Sequence, residues 1–183
     1  MSVVAVFADG GVIHRNPSPY GGTIAYCHVD EHGKRVESLG ALVLHNPGSR
    51  DYLPGVPMIY NSYTPLVTNN MTEMLALLAC LQALPEGWSG PVHSDSQVTL
   101  GRLFWGWKLT GLPAQWIEWG SRCLKRLGKL EPVLLQGHPT KADLARGVGA
   151  KRGYPVSKHN VWADKECGRV AKLLPAWRMQ KED

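Results

Sequence analysis

The chain is short of everything that would staple it or anchor it. Its four cysteines, Cys27, Cys80, Cys123 and Cys167, show no paired spacing, so neither a zinc site nor a disulfide framework is indicated. Three of them fall in expected helices, where a free buried thiol behaves as a small apolar group, and a reducing cytoplasm is the expected compartment. No apolar run approaches the roughly 20 residues that cross a bilayer, so no membrane partner is expected. Met1 to Asp9 lack the basic start and small-residue cleavage site of a signal peptide. Internal repeats and low-complexity segments are missing too. A length of 183 residues with 44% hydrophobic and 19% charged residues is that of a folded chain rather than a disordered one. We expect a single domain over 1–183, with insert loops at about 45–67 and 139–159 and a polar tail over 175–183.

What is present alternates between strand and helix patterns. Val3 to Ala8 is a β-branched apolar run suited to a strand covered on both faces. Thr23 to Val29 and Val36 to Leu44 follow across short turns and predict an antiparallel meander. The segment 45–67 carries four prolines and no period, so it reads as a long loop. A helix begins near Thr68 and runs to Leu84. Val92 to Ser96 and Val133 to Gln136 read as a fourth and a fifth strand. Helices are expected over 100–107, 114–127 and 160–174, and a second long loop over 139–159.

A net charge of +5 and five tryptophans between Trp88 and Trp119 are compatible with a polyanionic partner. Arg122, Lys125, Arg126 and Lys129 form one basic helix face, either solvated surface or a grip on such a partner.

The acids are more informative. At 100° per residue Glu73 shares a stripe with Leu77, Cys80 and Leu84 on an otherwise apolar helix. A carboxylate on a buried stripe is costly without a compensating cation. Two readings stand here: a capping box with Asn70 as N-cap, or a functional acid. Asp9 and Asp95 fall at strand ends, where ligands collect in sheets that mix strands and helices. Asp164 lies beside Ala163, Cys167, Val170 and Leu174, on the same side as Asn160, with Lys165, Arg169 and Lys172 opposite. Each acid has a plain alternative as turn residue, N-cap or stripe edge. Together they would repel unless they met around cations. Hard divalent ions bind carboxylate oxygens, and two of them about 3.5–4 Å apart suit in-line phosphoryl transfer.

The motifs fall in a recognisable order: Phe7-Ala8-Asp9-Gly10-Gly11 with Asn16-Pro17; Thr68-Asn69-Asn70-Met71-Thr72-Glu73; Ser94-Asp95-Ser96-Gln97; Gly137-His138; and Asn160-Val161-Trp162-Ala163-Asp164. On these the chain resembles the type 1 ribonuclease H, or ribonuclease HI, family. The resemblance implies an α/β ribonuclease H-like fold, a mixed five-stranded sheet with its first three strands antiparallel, flanked by helices. It implies a monomeric, metal-dependent endoribonuclease that cuts the RNA strand of RNA–DNA hybrids by a two-metal mechanism and leaves 3′-hydroxyl and 5′-phosphate ends. Two Mg²⁺ ions, replaceable by Mn²⁺, would be held by Asp9, Glu73, Asp95 and Asp164. Asn16, Asn69, Asn70 and Gln97 match positions that read the minor groove and its 2′-hydroxyls, and Thr68 matches a phosphate contact. His138 matches the loop histidine that shuttles a proton or aids product release, work that suits imidazole. Because the link from His138 to Asp164 is long, His159 is a rival for that role. The stretch between Trp107 and Trp116 is too short for the family's basic protrusion, no separate hybrid-binding module is expected before the domain, and either the Arg122–Lys129 face or the loop cations from Lys141 to Lys158 are expected to substitute. The competing readings are a nuclease of the same fold acting on DNA or double-stranded RNA, and a non-catalytic binding module.

Overall fold

The computed structural model describes residues 2–45, 53, 55–61, 64–150 and 152–176. The alternating apolar patterns give strands β1 (Val3–Val12), β2 (Gly22–Asp30) and β3 (Arg35–His45), paired as the antiparallel meander the short turns predict. β4 (Met58–Asn61) corrects the reading of 45–67 as loop throughout. It lies parallel to β3, with Leu42 opposite Met58, and its short run between prolines was too brief to show a period.

The segment from Thr68 forms helix α1 (Asn69–Gln82). β5 (Gly90–Ser94), α2 (Gln97–Phe104), α3 (Ala114–Arg126), β6 (Leu130–Leu134), α4 (Lys141–Arg146) and α5 (Lys158–Ala171) complete the chain. β5 is parallel to both β1 and β6, so the sheet has the order β4-β3-β2-β1-β5-β6. It holds the expected mixed five-stranded arrangement plus one edge strand.

Alternation along the strands sends side chains to two covered faces. Val6, Ala8, Ile24, Ala41 and Val43 face α1 and, beyond it, α2 and α3. Leu42 and Leu44 pack with Val170 and Leu174, and Ala25 with Ala163 and Cys167, both under α5. β2, sandwiched between the layers, is buried at every position. All four cysteines are buried and free.

The segment 139–159 is likewise not a plain loop. Thr140 and Asp143 form a reciprocal capping box at the start of α4, and Gly147 ends it in a left-handed turn at φ 77°. The basic face expected on α3 is partly committed elsewhere. The Arg126 guanidinium donates to the carbonyls of Leu81, Gln82 and Leu84 and closes the C-terminus of α1, where a cation opposes the helix dipole. Lys129 pairs with Glu131 at 3.7 Å and Arg122 with Glu118 at 3.9 Å. The tryptophans divide: Trp88 and Trp116 sit in the core, while Trp105 and Trp107 are exposed.

Candidate active site

The site forms where β1 presses on the first turn of α1. A Cβ on Gly10 would lie 2.3 Å from the Thr72 carbonyl carbon and 2.4 Å from the Glu73 nitrogen, so only glycine permits this approach. The contact sets Asp9 on β1 against Glu73 on α1, and β5, next to β1, delivers Asp95 just past its end. Oxygens of Asp9, Glu73 and Asp95 lie within 4.8 Å of one another. The Gly10 N–H donates to Asp9 Oδ1 at 2.8 Å. Asn160 Nδ2 donates to Asp95 Oδ2 at 3.2 Å, and Asn69 Nδ2 reaches Glu73 Oε1 at 3.5 Å.

Glu73 is therefore no capping residue. The N-cap is Thr68, whose Oγ1 accepts from the Met71 N–H at 3.3 Å, and Glu73 points into the acid cluster with Oε2 buried and unpartnered. Electrostatics register the crowding. Burial, reinforced by Asp95 and Asp164, pushes the Asp9 carboxyl up to about 8. Burial and the neighbouring Asp9 and Asp95 raise Glu73 well above the carboxylate range. Burial also raises Asp95, against the opposing effects of Asn160 and His138. An unpartnered buried oxygen and three mutually repelling acids are what a bound divalent cation would satisfy.

Asp164 corrects the sequence reading in part. Its side chain is 52% exposed, not buried like Glu73, and it stands outside the triad. Its stripe on α5, continuing through Gly168, faces a cavity of about 210 Å³ shared with Asp9 and Gly10 rather than packed side chains. Asp164 thus forms the open rim of the cluster. His138 Nδ1 lies 3.9 Å from Asp164 Oδ1, and His138 and Asp164 line a second cleft of about 260 Å³ with Asn160. The rival His159 is 7% exposed and packs on Phe7 with ring centroids 5.0 Å apart. Burial first, then Lys158, Arg35 and His93, lower its pKa. It belongs to the core, not to a loop over the site.

Asn16 and Asn69 meet at the first turn of α1, beside Glu73. Ser18 and Val67 exchange backbone hydrogen bonds of 2.7 and 2.8 Å, tying the β1–β2 turn to the start of α1. Asn16 Oδ1 then accepts from the Asn69 N–H at 3.2 Å. Asn16, Asn70 and Gln97 are exposed, while Thr68 and Asn69 are half-buried. Asn160 was not singled out as a site residue by sequence, although its i, i+4 spacing to Asp164 already put both on one side of the helix. A cavity of about 480 Å³ between α2 and α3 is lined by Leu103, Leu112, Trp116 and Leu124 and holds no carboxylate.

A mixed sheet with three antiparallel strands leading, covered by helices on both faces and carrying its acids where β1, β5 and α1 meet, is the ribonuclease H-like architecture. Solved structures agree. The N-terminal RNase H domain of Rv2228c from Mycobacterium tuberculosis is similar with a TM-score of 0.57 at 15% identity, over 91% of this chain and 98% of that one. LC11-RNase H1, isolated from compost by a metagenomic approach, gives 0.55 at 16% identity over 94% and 97%. The same enzyme in complex with an RNA/DNA hybrid gives 0.58 at 16% identity over 93% and 99%. The chain has the fold of these type 1 ribonuclease H structures. By sequence, no protein-family model and no curated protein matches it.

Proposed function

We propose that the chain is a type 1 ribonuclease H, an endoribonuclease that hydrolyses the RNA strand of RNA–DNA hybrids and leaves 3′-hydroxyl and 5′-phosphate ends. The observation that carries the proposal is the buried Asp9–Glu73–Asp95 cluster on this fold, open on the side of Asp164. These four acids would hold a pair of Mg²⁺ ions, or Mn²⁺ in their place. When bound, the ions supply an activated attacking water and stabilise the leaving oxygen in an in-line displacement.

The protein's part is to keep the acids in place and to handle substrate and protons. The Gly10 N–H fixes the Asp9 carboxylate and Asn160 orients that of Asp95. His138, beside Asp164, moves a proton at its ring nitrogens or helps product leave. Asn16 and Asn69 meet beside Glu73 and Gln97 shares a pocket with Asp95; with Asn70 they carry amides suited to a minor groove lined with 2′-hydroxyls, while Thr68 takes a phosphate of the DNA strand. That amide set favours a hybrid over duplex DNA as substrate. The proposal extends to a monomer working in the cytoplasm, in keeping with four buried free thiols.

Labelled RNA–DNA hybrid, duplex DNA, duplex RNA and single strands incubated with Mg²⁺, Mn²⁺ or EDTA test it directly. Cleavage confined to the RNA of the hybrid and abolished by EDTA is expected. Cutting that survives EDTA, or that prefers another duplex, would overturn the proposal.

A further inference from the structure

Past Asp95 the cleft continues into a polar pocket of about 240 Å³, whose walls include Gln97, Gln136, Gly137, Arg152 and Tyr154. Two of these come from the segment that follows α4, and that segment is held in place. Val148 and Pro155 form a bridge, the Gly149 N–H donates to Tyr154 O at 2.8 Å, and the Gln136 N–H donates to Pro155 O at 2.9 Å. A Cβ on Gly149 would fall 2.4 Å from Gln136 Cγ, so the loop backbone lies directly against that side chain, whose Nε2 donates to Gly137 O at 3.0 Å. Arg146, the last residue of α4, is taken up by Asp143. Arg152 is exposed and has no acidic partner among the described residues, yet it borders the pocket that Asp95 also lines.

We infer that residues 147–150 and 152–156 build a subsite for the nucleotide next to the cleaved bond on the RNA strand, with Arg152 taking its phosphate and Tyr154 and the Gln97 and Gln136 amides taking its sugar and base. A guanidinium is a fork for phosphate oxygens, and an aromatic ring with amides beside it suits a nucleoside. Asp95 belongs to both the acid cluster and this pocket, so a strand with one phosphate on the cluster meets the pocket with its neighbour. This inference rests on the hybrid-cleaving reading.

The test uses the full chain and R152A, R152K and Y154A, comparing kcat, KM, hybrid Kd in Ca²⁺ by fluorescence anisotropy across a salt series, and melting temperature. R152A should raise KM and Kd on the order of 10-fold, leave kcat within about twofold, and lower the log–log salt slope by about one. R152K should recover part of the affinity, since charge remains while the fork is lost, and Y154A should raise KM without changing the slope. Unchanged KM and slope in R152A, or a fall in kcat alone, would overturn the subsite while hybrid cleavage by the unaltered chain stands. If the unaltered chain neither binds nor cuts hybrid, the functional reading itself has failed and the subsite goes with it.

Discussion

Replacing Asp9 by Asn should make the metal-free protein more stable and the enzyme inactive, and both effects follow from one charge. The amide keeps the shape of the carboxylate and an oxygen for the Gly10 N–H, so packing is preserved. What it removes is a buried negative charge facing Glu73, Asp95 and Asp164. The Asp9 carboxyl, lifted from an ordinary 3.8 to about 8, binds its proton more tightly folded than unfolded. Stability therefore falls as pH rises between those values, because the unfolded chain gives up the proton first. At about 1.4 kcal/mol per pH unit the upper bound is about 6 kcal/mol. The three acids share protons, and relief at one site is smaller, on the order of 2–3 kcal/mol. For a chain of this size that is a rise of about 5–10 °C in melting temperature. Thermal melts of both proteins in EDTA from pH 4 to 9 should coincide near pH 4 and separate towards pH 8. Adding Mg²⁺ at pH 8 should then stabilise the original chain and leave Asp9→Asn almost unmoved, with turnover reduced at least 1,000-fold, on the order expected when metal-assisted chemistry is lost. Equal melting at every pH, or full turnover in the variant, would refute the reasoning.

Other perturbations separate the roles of neighbouring groups. His138→Ala should slow hybrid cleavage on the order of 100-fold without changing the melting temperature. His159→Ala, removing a ring packed on Phe7, should cost about 2 kcal/mol and leave kcat per folded molecule intact; the reverse pattern in steady-state rates and melts would exchange the two assignments. Arg126→Ala strips the donors from two carbonyls of α1 and from that of Leu84 just past it and should lower urea stability by about 2–3 kcal/mol with no change in the salt dependence of hybrid binding. Gly10→Ala forces β1 off α1 and should cost about 3 kcal/mol; calorimetry should also show weaker Mg²⁺ binding as Asp9 and Glu73 are parted.

Reading and structure diverge at identifiable places. The strand patterns of 3–8, 23–29 and 36–44 foretold the meander because all of β2 and the inner parts of β1 and β3 are buried, which demands apolar residues there. β4 escaped notice because four residues beside prolines carry no usable period. Inside 139–159, the Thr140-x-x-Asp143 spacing did carry a capping signal, whereas the capping box that stood as one of two readings of Asn70 and Glu73 is not formed, since the nearby Thr68 caps that helix.

The chain's motifs, through the family they resemble, implied the fold class, and the pattern of acids put Asp9, Glu73, Asp95 and Asp164 forward as partners, because a carboxylate on an apolar stripe or at a strand end is visible in one dimension. Only the tertiary structure decided that Asp164 stands on an open rim, that Arg126 serves the end of α1, that Asn160 holds Asp95, and that Arg152 borders the cleft. Helical periodicity says which side a residue takes but not how far the sheet beneath it extends, and a hydrogen-bond donor's choice among distant carbonyls and carboxylates is settled by through-space distances that sequence spacing does not encode.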